Sequence, residues 1–81
     1  MQNLQIIIKQ EDIDNGQSCE PNSCPFALAV RRAAKTDRVE VGVNDMLLNG
    51  KSVPLPAAAM QFIASFDCDD KVFPTTFTLH L

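Results

Sequence analysis

"PNSCPFALAVRRAAKTDR" (residues 21–38) carries the strongest periodic signal in the chain, and its reading decides the fold. Phe26, Ala29, Val30 and Ala33 recur at i, i+3, i+4 and i+7, which draws one continuous apolar stripe along an α-helix. The helix is expected to begin at Ser23 or Cys24. The Ser23 hydroxyl can accept a hydrogen bond from the free backbone N–H groups of the first turn. Pro25 is harmless there, because its missing N–H would have had no partner. Arg31, Arg32 and Lys35 crowd the last turns, where positive charge complements the negative end of the helix dipole.

Strand signals lie on both sides of this helix. Upstream, in "LQIIIKQ" (4–10), Leu4, Ile6 and Ile8 alternate with Gln5, Ile7 and Lys9, the period of a strand with one strongly apolar face. "EDIDNG" (11–16) predicts a single helical turn closed by Gly16 in the left-handed conformation, and "QSCEPNS" (17–23) a loop. Downstream, "RVEVGVN" (38–44) alternates again, with Val39, Val41 and Val43 on one side. In "DMLLNGKSV" (45–53), Asn49-Gly50 sits between two short apolar runs and predicts a tight hairpin, since both residues tolerate positive φ. "PLPAAAMQFIASFD" (54–67) reads as a second helix opened by Pro56, burying Ala59, Phe62, Ile63 and Phe66. "CDDKVFP" (68–74) is a turn, and "TTFTLHL" (75–81) a terminal strand with Phe77, Leu79 and Leu81 facing one way. The order is strand, helix, two or three strands, helix, strand, with no room for long crossovers. The expected fold is α+β, a small and mostly antiparallel sheet of about four to five strands with two helices on one face. A split β-α-β (ferredoxin-like) arrangement would satisfy that order.

Eighty-one residues suit a single domain spanning 1–81, and a chain this short buries only roughly 60% of the surface its unfolded form exposes. A core so thin gains from burying further apolar surface between copies, so a homo-oligomer is expected. Apolar residues make up 46% of the chain, which places it outside the disordered range. The net charge of −3 lacks the basic footprint of a direct nucleic-acid binder. No apolar run approaches a membrane span, and "MQNLQIIIKQ" has no basic head followed by a long apolar segment. With Cys19, Cys24 and Cys68 odd in number and suited to reduced thiols, the expectation is a cytoplasmic protein.

The residues with chemical potential form no catalytic set. Cys24 at a helix N-terminus is where a thiol pKa can fall, but nothing marks the single histidine, His80, as its base. The three cysteines and His80 equal a zinc ligand count without the close pairs such sites use, so Cys24 reads as a small hydrophobe and Cys19 as a free loop residue. "EDIDNG" fails the calcium-loop spacing, because position 5 counted from Asp12 is Gly16. "DCDD" (67–70) lies at the unfavourable pole of the second helix and reads as solvated. Gly16, Gly42 and Gly50 are isolated, so there is no phosphate-cradling loop. The expectation is a non-enzymatic protein with no cofactor and no metal. What stands out is the first helix. Its N-terminus at Ser23-Cys24 could hold an anion, and Arg31, Arg32, Lys35 and Arg38 stand against only Asp37 in an otherwise acidic chain. Arginine forks suit phosphate or carboxylate. The candidate ligand-binding residues are Ser23, Cys24, Arg31, Arg32 and Lys35. The two ends lie ~10–15 Å apart by helix rise, so they would converge only across a symmetric dimer.

The combination "IKQEDIDNG", "CPFALAVRRA", "VEVGVN", "LNGKSVPLP", "FIASFD" and "FTL" resembles small hypothetical proteins of tailed bacteriophages and prophages. The sharpest features are Asp12-Ile13, Gly16, Cys24-Pro25 with Ala27 and Ala29, Val41-Gly42-Val43, Leu55-Pro56 and Phe66-Asp67. The resemblance carries no established activity. By analogy of gene class it implies a compact binding protein in the host cytoplasm. One expectation is a counter-defence sponge that sequesters an anionic, nucleotide-like immune signal. Another is an inhibitor that contacts a host protein through an acidic surface of Glu11, Asp12, Asp14, Asp67, Asp69 and Asp70. A structural or accessory virion protein is a third.

Overall fold

The computed structural model describes residues 3–20 and 22–80; the expected inward-facing Leu81 lies outside them. In chain order the elements are β1 (Asn3–Ile8), α1 (Gln10–Asn15), α2 (Pro25–Ala34), β2 (Val39–Val41), β3 (Asp45–Leu48), β4 (Lys51–Pro54), α3 (Ala57–Asp67) and β5 (Thr75–His80). The α+β class is borne out, with two differences. The strands divide between two antiparallel sheets, a β1–β5 ribbon and a β2-β3-β4 meander, rather than forming one. Among the described residues the helices number three, because the acidic stretch after β1 is a six-residue helix. A split β-α-β sheet would join the ribbon to the meander; among the described residues they stay separate.

Helix α2 holds the two sheets together. It packs on β1, β2, α1 and α3, and its predicted stripe is the centre of the core, with Phe26, Ala29 and Val30 almost fully buried. Against it lie Ile6 and Ile8 of β1, Leu79 of β5, and Val39, Val41, Met46 and Val53 of the meander. Burying a side chain of this size contributes roughly 1.5–3 kcal/mol, so α2 is the element on which most of the apolar stabilisation converges. Phe77 extends the contact. Its ring lies 5.7 Å from Phe26 and 5.8 Å from Phe62 in tilted and edge-on geometry, joining α2, β5 and α3.

The hairpin reads as expected. Asn49 and Gly50 both take positive φ, 54° and 83°, and Leu48 pairs with Lys51 across the turn. Gly16 does not. It is extended, with φ −72°, so it is not a left-handed cap. A Cβ there would stand 2.6 Å from Pro25 Cδ and 2.8 Å from the Asp12 carbonyl, and glycine is needed because the end of α1 abuts the start of α2.

Strand β2 is shorter than the alternation predicts. The Gly42 N–H donates to the Asp45 carbonyl at 2.7 Å, which ends the strand at Val41. Val43 is thrown to the tip of a turn, 83% exposed. Helix α3 is also less buried than its composition suggests: Ala59 is enclosed, while Met60, Phe62, Ile63 and Phe66 are only half-buried.

Candidate functional site

The N-terminal end of α2, where the sequence places Ser23 and Cys24 as ligand-binding residues, is closed. Cys24, not Ser23, caps the helix: its sulfur accepts the Ala27 N–H at 3.4 Å. Pro25 has no N–H to offer, and Leu28 donates to the Cys24 carbonyl. Phe26 and Ala27 are wholly buried, so an anion has no access to the amides of this turn. Ser23 instead donates its backbone N–H to Glu20. Burial pushes the Cys24 thiol pKa up, against the opposing pull of the Ala27 and Phe26 amides, which keeps it a protonated, poorly nucleophilic thiol.

The C-terminal end is largely committed. Arg32 grips Asp12 with both guanidinium nitrogens, Nη1 to Oδ1 and Nη2 to Oδ2, each at 2.8 Å, and donates to the Ile7 carbonyl at 2.7 Å. Asp12 also accepts the Lys9 backbone N–H at 2.8 Å. The Asp12 side chain is only 5% exposed. It therefore belongs to the interior and is subtracted from the expected acidic surface. Burial would raise its pKa, but the Arg32 and Lys9 hydrogen bonds and the adjoining positive charges hold it below the usual carboxylate value. Arg31 reaches Asp37 at 3.2 Å on the surface. Lys35 is exposed and left-handed, φ 56°, and closes the helix by donating its N–H to the Arg31 carbonyl. The five residues do not gather around one cavity.

A different concavity is present. The loop carrying Cys19 and Glu20, the start of α2 at Cys24, the end of β2 with its turn (Val41, Gly42, Val43) and one flank of α3 (Met60, Ile63, Ala64, Asp67) enclose a half-open cleft of about 260 Å³. Its floor is aliphatic and its two ionisable oxygen groups are carboxylates; no lysine, arginine or histidine lines it. Asp67 Oδ1 accepts the backbone N–H of Cys19 at 2.9 Å, which fastens the loop to the end of α3. That contact answers why an aspartate sits at the wrong pole of the helix dipole.

This cleft is not legible in the sequence because its parts come from four segments, and only tertiary packing brings them together. The available signals were the unrewarded Asp67 and the surplus apolar residues of α3, which exceed what one buried stripe needs. Among the described residues, no cluster of three or more His, Cys, Asp and Glu could hold a metal ion. Among the described residues, no helix is long and apolar enough to cross a membrane. No protein-family model, curated protein or solved structure matches the chain.

Proposed function

We propose that this chain is a small non-enzymatic binding protein that docks on a partner protein by accepting an apolar side chain, flanked by a basic one, in the cleft between β2 and α3. The observation that carries this reading is the lining: an aliphatic floor edged by Glu20 and Asp67, without a cation. A hydrophobic anchor in a pocket with complementary charge beside it is how compact interfaces gain affinity and on-rate. Asp69, Asp70, Glu11 and Asp14 add negative charge elsewhere on the exposed surface, which favours a basic partner. The resemblance to phage and prophage proteins fits a host protein met in the cytoplasm.

The test is a panel of short peptides that pair Leu, Ile, Phe or Met with a neighbouring Lys or Arg, read by fluorescence anisotropy against charge-reversed controls. Binding is expected for the basic set only, and Asp67→Asn should weaken it about tenfold, or about 1.4 kcal/mol. That substitution removes the charge while leaving an oxygen to accept the Cys19 N–H. Ile63→Arg should abolish binding. Silence across the basic set would reject the cleft as the docking site.

The nucleotide-sponge reading rests on what remains of the α2 tip, the exposed Lys35 and the surface-paired Arg31. A thermal-shift screen with cyclic nucleotides and ADP-ribose derivatives decides it. A ligand at about a hundred times its dissociation constant stabilises the fold by about 2.7 kcal/mol, a shift easily seen in a domain this small.

A further inference from the structure

We propose that the free edge of β5 pairs with β5 of a second copy across a two-fold axis, extending the ribbon into a four-stranded antiparallel sheet in the order β1-β5-β5-β1. The two sheets present four edges, and three carry the features by which proteins blunt an edge. Strand β2 is three residues long with a charged centre at Glu40, and β4 carries Lys51 and ends on Pro54. On β1 the Ile7 carbonyl is held by Arg32, and just past its end the Lys9 amide is held by Asp12, where the chain runs directly into α1. Strand β5, "TTFTLH", has none of these. It is six residues long, with no acidic residue, lysine, arginine or proline, and its threonines are exposed.

The strand suits its own copy better than a charged partner. The chain carries a net charge of −3, so two copies repel each other on balance; β5 adds no acidic residue to that repulsion. Side-chain parity fixes the register class. Leu79 and Phe77 face the core and Thr76, Thr78 and His80 face out, so a pairing that preserves both faces sets even residues opposite even ones. With Thr78 on the axis, Thr78 meets Thr78 of the copy, Phe77 meets Leu79, and Thr76 meets His80. Threonine pairs and aromatic–aliphatic pairs are both favourable neighbours across antiparallel strands. Two-stranded ribbons are marginal alone, and the pairing gives this one two further strands. None of the cleft-lining residues belongs to β5, so this inference and the docking reading stand or fall separately.

Sedimentation equilibrium from micromolar to millimolar protein should show the average mass rising from one chain towards two. Thr78→Lys sets like charges on the axis and should weaken self-association about tenfold. Mixing T78K with T78E should restore the dimer as a heterodimer, which a misfolded variant could not do. Wild-type amide exchange supplies a readout that needs no variant: β5 amides should gain more protection with concentration than β2–β4 amides, which gain only what the added stability of the whole fold confers. A mass that stays at one chain throughout, a folded T78K that associates unchanged, or concentration-independent exchange in β5 would each overturn the proposal.

Discussion

Asp12 shows how far one residue's role depends on distant neighbours. In the chain it stands in an acidic stretch and reads as solvated. In the fold its carboxylate is buried and takes three hydrogen bonds, two from Arg32 and one from the Lys9 backbone. Removing the guanidinium strands a buried charge. Arg32→Leu is expected to cost on the order of 2 kcal/mol at neutral pH, below the full value for a buried pair because Arg32 itself is part-exposed. The pH dependence has a definite sign. A carboxyl whose pKa is lower folded than unfolded adds stability above the unfolded value, and that stability is lost as pH falls through the folded one. With Asp12 lowered in this way, the stability gap between wild type and Asp12→Asn should be full at pH 5 and shrink towards pH 3. Urea denaturation across that range measures it; a gap that holds constant would show that the ion pair contributes nothing.

At the scale of elements, two glycines are needed for different reasons, and substitution separates them. Gly50 occupies the left-handed region, so Gly50→Ala should cost about 1 kcal/mol through backbone strain alone. Gly16 has an ordinary φ, and its replacement fails by contact with the rigid Pro25 ring and the Asp12 carbonyl. Gly16→Ala should cost about 1–3 kcal/mol, as overpacking does, and should loosen α1 from α2. Urea denaturation gives the sizes, and amide exchange in α1 should rise for Gly16→Ala but not for Gly50→Ala. Exchange that rises equally in both variants would show that Gly16 is not a contact between helices. The hairpin was legible because Asn49-Gly50 encodes its own turn. The role of Gly16 was not, since nothing in "DNGQ" reveals that Pro25, nine positions on, will lie against it.

Among the described residues the molecule is two small sheets gathered on one helix, and the two-stranded ribbon is marginal without that packing. Phe77 is the residue through which the ribbon, α2 and α3 meet. Phe77→Ala should therefore destabilise the entire fold, by about 2–4 kcal/mol, and as a single transition. Thermal unfolding followed by far-ultraviolet circular dichroism tests this, and a variant that loses only the ribbon's signal would show the meander folding independently.

What the sequence determined by itself was local: the apolar stripe of α2, the strand alternations, the Asn49-Gly50 turn and the α+β class. Each depends on neighbours within a few positions, where periodicity and φ preference act directly. Tertiary structure alone decided the separation into two sheets, the loss of Val43 to a turn tip, the capture of Arg32 by Asp12 and the cleft beside Asp67. Those outcomes depend on which surfaces meet after the chain closes on itself. A guanidinium looks the same in sequence whether a carboxylate twenty residues away will take it or water will.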